Sequence, residues 1–159
     1  MTGQKVVILM GSPADEAHAK KIGAVVEEFG VKCAYRVSSA HKTPAALLEI
    51  LKELEKEADK GEKIVLVAAV GLSNALSGVL AAQSIFPVIT CPVYAAEDLM
   101  SSLRMPSDVP HSVVLNPKNA GLEAIRILAL SDRELAKKLK DHRDKAMQRV
   151  NDADKALNK

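Results

Sequence analysis

Val6 to Met10 is an unbroken apolar run closed by Gly11, the pattern of a strand buried on both faces. The period then changes. From Asp15 to Phe29 the apolar positions Ala19, Ile22, Val25, Val26 and Phe29 recur at helical spacing, and Gly30 ends the helix. The cycle repeats with Lys32 to Ser39 as strand. Pro44 then opens a helix at its first turn, Leu47, Leu48, Leu51 and Leu54 share one face, and Lys60-Gly61 breaks it. Ile64 to Val70 is the most apolar run and predicts a central strand, followed by a short helix of small residues from Ala75 to Ser84. Pro87 to Pro92 predicts a fourth strand. An irregular stretch containing Met105-Pro106-Ser107 leads to a fifth over Ser112 to Leu115 and a helix over Asn119 to Leu130.

Strand and helix in strict alternation imply right-handed crossovers and a parallel sheet covered on both faces. The expected architecture is α/β, a three-layer αβα sandwich with a flavodoxin-like parallel sheet of about five strands. At 159 residues and 48% hydrophobic content, one domain over residues 1–130 is enough to bury a core of ordinary size. Residues 131–159 differ in kind. Charges crowd this tail, and only Leu135, Leu139, Ala146, Val150, Ala153 and Leu157 form an apolar stripe, with Ser131 or Asp132 as cap and Glu134 in the first turn. A long C-terminal amphipathic helix follows, laid either on its own subunit or on a neighbour.

Composition narrows the classes of function. A formal charge of +2 and 3% aromatic residues supply neither a basic stripe nor a stacking surface, so no nucleic-acid partner is expected. No apolar stretch reaches membrane-spanning length, and Met1 to Lys5 leads into a strand without a signal-peptide core, so a cytoplasmic protein without a membrane partner is expected. Cys33 and Cys91 lie in different apolar runs without metal-ligand spacing. They are expected to be free, buried thiols, with no metal site.

Chemistry concentrates in three loops that follow strands, and in a parallel sheet such loops meet at one edge where ligands bind. The first, Met10-Gly11-Ser12-Pro13-Ala14-Asp15, sets free backbone N–H groups, a hydroxyl and a carboxylate at a helix start. Asp15 has two readings, a helix cap or an acceptor for ligand hydroxyls. The second, Ser38-Ser39-Ala40-His41-Lys42-Thr43-Pro44, carries an imidazole suited to proton transfer and an ammonium suited to phosphate. The third, Gly71-Leu72-Ser73-Asn74-Ala75-Leu76-Ser77-Gly78, has no acid, base or cation; its small residues expose N–H groups to a carboxylate or CO₂, as they would also suit a tight strand-to-helix turn. His18, His111 and His142 lack a comparable setting and are expected at the surface or in packing. Together the loops describe a pocket for a small anionic metabolite with one histidine as acid and base.

Met10-Gly11-Ser12, Ser39-Ala40-His41-Lys42-Thr43-Pro44, Ser73-Asn74-Ala75-Leu76-Ser77-Gly78 and Ser101-Ser102-Leu103-Arg104-Met105-Pro106-Ser107 stand in an order and at separations that resemble the aminoimidazole ribonucleotide carboxylases of purine biosynthesis. The resemblance spans nearly the whole chain. That family holds two reaction types, a mutase acting on N5-carboxyaminoimidazole ribonucleotide and a carboxylase using CO₂ directly. Three features resemble the direct, class II carboxylase: Lys42 in place of arginine, Ser73-Asn74 in place of a loop with a second histidine, and the Ser-Ser-Leu-Arg-Met-Pro segment.

The resemblance implies that Gly11, Ser12, Asp15 and Lys42 contact the ribonucleotide, Ser39 and His41 stand near the reacting ring with His41 catalytic, and Gly71, Ser73, Asn74 and Ala75 surround CO₂ or the new carboxylate. It further implies no cofactor and a homo-oligomer, octamer or tetramer, with the last helix crossing to a neighbour. The chain departs from the family at Ala14, commonly serine, at Leu72, usually arginine in class II, at Pro92-Val93, usually a double proline, and in a short link between Cys91 and Ser101. Two alternatives stand beside the carboxylase: the mutase, and a noncatalytic nucleotide-binding module on the same sheet.

Overall fold

The computed structural model describes residues 3–93 and 96–158. Among them, five strands form one parallel sheet: β1 (Gln4–Met10), β2 (Lys32–Val37), β3 (Lys63–Val70), β4 (Val88–Pro92) and β5 (Ser112–Val113), in the order β2-β1-β3-β4-β5. Six helices alternate with and follow them: α1 (Glu16–Glu28), α2 (Pro44–Ala58), α3 (Leu76–Ala82), α4 (Ala96–Leu103), α5 (Pro117–Ala129) and α6 (Arg133–Leu157). The αβα architecture expected from the strand-helix alternation is the one observed, and the most apolar strand, β3, is central. All pairings are parallel, with Val6 opposite Cys33 on one side and Val65 on the other.

Alternate residues of β1 feed two cores. Val6, Ile8 and Met10 pack with α1 and α5 through Ile22, Val26, Ala124 and Ile125, while Val7 and Leu9 pack with α2 and α3 through Leu47, Leu51, Leu76 and Leu80. A strand buried on both faces has no polar alternation, which is why β1 and β3 read as continuous apolar runs. On the first face α1 and α5 approach closely at Gly121, where a Cβ would stand 2.7 Å from the Ile22 carbonyl oxygen. Only glycine admits that approach.

The chain leaving β1 enters the face of α1, and the chain leaving β3 enters the opposite face through α3. Neighbouring strands whose connections diverge open a crevice at their C-terminal ends, the usual ligand site of such sheets.

Several local expectations are corrected. Leu48, expected on the buried face of α2, is 37% exposed; Ile50 joins Leu47, Leu51 and Leu54 inside, because i, i+3, i+4, i+7 is the narrower stripe. The stretch between β4 and β5 contains the unanticipated α4. β5 pairs over two residues only, although Val114 N still donates to Thr90 O at 2.9 Å. Asp132 caps α6 by accepting from Leu135 N at 3.0 Å.

The start of α6 docks on its own subunit. Leu135 is buried, Leu139 is packed against the α1/α5 core, Lys138 Nζ donates to Phe29 O at 2.9 Å, and the rings of His142 and Phe29 lie 5.4 Å apart. Beyond that point Val150 and Leu157 are exposed. No helix among the described residues is long and apolar enough to cross a membrane. Cys33 is half-buried, Cys91 is buried, and both are free thiols.

Candidate active site

At the end of β1 the chain turns through a 3₁₀ turn, Pro13–Asp15, before α1. Ser12 is extended; its Oγ accepts from Ala14 N at 3.2 Å, and Asp15 Oδ2 accepts from Ser12 N at 3.0 Å, the reciprocal pattern of a capping box. Asp15 therefore does cap the helix, with one of its oxygens. Oδ1 accepts no hydrogen bond among the described residues, although Asp15 is buried. Burial pushes its carboxyl above the usual carboxylate value, opposed by the Ser12 N–H and by the nearby His18. A cap that uses one carboxylate oxygen and leaves the other without a partner fits both readings of this residue at once.

The second loop is closed by its own hydroxyls. Ser38 N continues the ladder by donating to Met10 O at 2.9 Å. Ser39 N then donates to Thr43 Oγ1 at 3.0 Å, Thr43 Oγ1 donates back to Ser39 O at 3.2 Å, Thr43 N donates to the same carbonyl at 2.8 Å, and Lys42 N donates to Ser39 Oγ at 3.2 Å. Ala40, His41 and Lys42 form the turn between these two posts, and Pro44, lacking an N–H, starts α2. The side chains of His41 and Lys42 are exposed and make no hydrogen bond or ion pair among the described residues. Thr43, to which the sequence assigns no role, is thus a structural post of the site; a threonine directly before a helix-starting proline is its local signal.

In the third loop, Ser73 takes a left-handed backbone conformation, φ 44°, which costs a non-glycine residue roughly 1 kcal/mol. Asn74 beside it is buried. Its Nδ2 donates to Ser77 Oγ and, at 3.0 Å, to Ser102 Oγ; its Oδ1 accepts from Ser77 N at 3.2 Å. Its own N–H donates to Ser101 Oγ at 2.8 Å. The amide of Asn74 is thus engaged inside the protein, with both Nδ2 hydrogens and Oδ1 bonded.

One recess of about 330 Å³ lies where the three loops meet. Gly11, Ser12, Asp15, Ser39, His41, Lys42, Gly71, Ser73, Asn74 and Ala75 all line it, so the structure brings every residue singled out in the sequence to a single place. Its ionisable lining groups are Asp15, His41 and Lys42. Leu72 also lines it and is 75% exposed, an apolar side chain at the mouth of a polar site. Nothing in the packing demands a glycine at position 11, where a Cβ would meet only Asp15 Oδ2 at 3.9 Å. The missing side chain leaves the recess open, but the free N–H groups expected at this helix start are spent within the loop: Ser12 N on Asp15 Oδ2, Ala14 N on Ser12 Oγ, Asp15 N on Ser12 O at 3.1 Å and Glu16 N on Pro13 O, because the turn caps itself. Among the described residues no group of three or more His, Cys, Asp or Glu is placed to hold a metal ion.

A family model described as AIR carboxylase matches residues 5–149. The chain belongs to the AIR carboxylase family. Within it, the chain is 40% identical to a phosphoribosylaminoimidazole carboxylase of Archaeoglobus fulgidus, covering 98% of this chain and 86% of that protein. It is also 40% identical to the Treponema denticola protein of the same name, over 96% of each. An N5-carboxyaminoimidazole ribonucleotide mutase of Methanocaldococcus jannaschii is 38% identical, again over 96% of each. The crystal structure of Treponema denticola PurE superposes with a TM-score of 0.93 at 38% identity, covering 98% of this chain and 99% of that one. This member of an enzyme family is not the noncatalytic module that its sheet alone would permit. Of the positions where it departs from its family, Ala14 and Leu72 line the recess. Tyr94 and Ala95, within the short link between Cys91 and Ser101, lie outside the described residues.

Proposed function

We propose that this protein carboxylates 5-aminoimidazole ribonucleotide at C4 with CO₂, reversibly, to give 4-carboxy-5-aminoimidazole ribonucleotide in purine biosynthesis. The single observation that carries the reading is the recess itself: one imidazole, one ammonium and one half-spent buried carboxylate around a space of about 330 Å³, within the range of small-molecule sites. The ammonium of Lys42 and the Ser12 hydroxyl, which accepts from Ala14 N and keeps its own O–H to donate, suit the phosphate, and Asp15 Oδ1 suits the ribose hydroxyls.

The chemistry follows from the substrate. Its exocyclic amine pushes electron density onto C4, which attacks the carbon of CO₂; a C–C bond forms and one C–O π bond becomes the carboxylate. N–H groups of the Gly71 to Ala75 loop suit that developing charge. His41 then takes the C4 proton, and aromaticity returns as the C–H electrons rejoin the ring. In reverse, His41 protonates C4 and CO₂ departs. No step requires a cofactor.

The choice of CO₂ over the N5-carboxy substrate is supported by a lining with one histidine, by Lys42, and by Ser73-Asn74 in the third loop. The Methanocaldococcus jannaschii relative supports the mutase as the second reading. Purified protein supplied with aminoimidazole ribonucleotide and a CO₂/bicarbonate mixture should form the 4-carboxy product, and supplied with the N5-carboxy compound in CO₂-free buffer should form none. Product in the second arm alone reverses the choice.

The uncovered stripe of α6 beyond His142, with Val150 and Leu157 exposed, supports packing of that part of residues 131–159 on a neighbouring copy in a homo-oligomer, octamer or tetramer. Light scattering decides between them, and a monomer at micromolar concentration overturns the assembly.

A further inference from the structure

We infer that Asn74 and the serine pair Ser101 and Ser102 are positioning residues, which hold the third loop in the shape that receives CO₂ or the new carboxylate. This rests on the carboxylation reading above. The loop is not self-supporting. Ser73 at its apex holds a disfavoured backbone conformation, φ 44°, and such a conformation persists only where its surroundings fix it.

The fixing contacts converge on Asn74. Every polar atom of that residue other than its carbonyl is engaged: N with Ser101 Oγ at 2.8 Å, Nδ2 with Ser77 Oγ and with Ser102 Oγ at 3.0 Å, and Oδ1 with Ser77 N at 3.2 Å. Ser77 and Ser102 are essentially inaccessible and Asn74 nearly so, so water cannot replace either partner without cost. Two of the anchors are adjacent residues of α4, an element none of whose described side chains lines the recess. That helix is itself held. The His111 ring lies against the Ser102 backbone and hydrogen-bonds Thr90 Oγ1 on β4 through Nδ1, while Val93 N donates to Val70 O at 2.7 Å where the third loop begins.

The consequence is chemical. Donors that stabilise a forming carboxylate act only if they already point at it, and displacing them by about 1 Å costs up to two orders of magnitude in rate. Asn74 therefore serves the reaction by fixing its neighbours' N–H groups, and Ser101 and Ser102 do so from outside the site.

The test uses the full chain carrying Ser101→Ala, Ser102→Ala or Ser101→Thr, with the ribonucleotide and CO₂ varied separately. Both alanine variants should raise the KM for CO₂ roughly ten- to hundredfold while the KM for the ribonucleotide stays within about twofold. Ser101→Thr, which keeps the hydroxyl, should return the KM for CO₂ to near its original value. An unchanged KM for CO₂ in both alanine variants, or a parallel rise in both KM values with a lower melting temperature, overturns the inference. Should Ser102→Ala fail to fold, Ser101→Ala with its threonine rescue decides alone. If the unmodified protein consumes only the N5-carboxy substrate, the carboxylation reading fails by itself. The same variants then decide the positioning role through a lowered kcat on that substrate, again rescued by threonine.

Discussion

His18 Nε2 lies 3.1 Å from Cys91 Sγ, which joins the first turn of α1 to the end of β4. Burial pushes the Cys91 thiol up to about 12 and, with the charge of Lys21, holds the His18 imidazole below its ordinary 6.5 against the pull of Asp15. Both groups are therefore neutral at pH 7. A histidine with a native pKa below its unfolded one binds fewer protons when folded, so its stability contribution is lost as pH falls through 6.5 toward the native value. His111, lowered mainly by burial, acts in the same direction. The urea midpoint should fall between about pH 7.5 and about pH 5.5, and His18→Gln should flatten that fall. An equal fall in the variant refutes the assignment.

His41 carries no protein contact that folding depends on, because its exposed ring has no partner among the described residues. His41→Asn should leave the melting temperature unchanged and lower kcat by about 10² to 10⁴. Near-normal turnover would remove the proton-transfer role.

Lys42 is expected to act on the phosphate and not on the ring. Lys42→Met should raise the KM for the ribonucleotide about tenfold, the worth of one charge-assisted hydrogen bond, with kcat changed much less. A loss confined to kcat would place the ammonium at the reacting carbon instead.

Asp15 sets stability against binding. Its raised native pKa means the ionised carboxylate costs stability above that value, and the cost vanishes below the ordinary 3.8, where both states are protonated. Asp15→Asn keeps an acceptor for the Ser12 N–H and should therefore unfold at higher denaturant at pH 7, the gain shrinking as pH falls through the carboxylate range. The same variant should bind the ribonucleotide more weakly in calorimetry. Lower stability at pH 7 would show that the cap outweighs the desolvation.

Gly121 reports on the packing of α1 against α5. Its alanine variant would put a Cβ 2.7 Å from the Ile22 carbonyl oxygen and 2.9 Å from Val25 Cβ, so the helices must separate. A loss of about 2 to 3 kcal/mol in denaturant unfolding is expected. A neutral Gly121→Ala would mean that the contact yields.

The sheet and its central strand were legible because burial on both faces leaves long apolar runs in β1 and β3 with no competing reading. The recess was legible because three loops after parallel strands must share an edge, whatever their detailed shape. What escaped notice depends on contacts distant in sequence. α4 has only Leu99, Met100 and Leu103 at helical spacing, under two turns, and Met100 and Leu103 are exposed, so no amphipathic stripe announces it. The resemblance implies a place for Asn74 beside CO₂ or the carboxylate; that it also has partners 27 and 28 residues ahead is a tertiary fact with no local trace. Thr43 and Leu48 mark a finer limit, since a rotation of one residue on a helix or a hydroxyl pair across a turn leaves no periodic trace.

The reciprocal bonds between Ser39 and Thr43 have a thermodynamic meaning for catalysis. Because they freeze the Ala40 to Lys42 turn when the chain folds, the imidazole and ammonium it carries lose their backbone freedom long before any nucleotide arrives. A visiting ligand is spared that entropic penalty, and more of its contact energy is left for lowering the barrier.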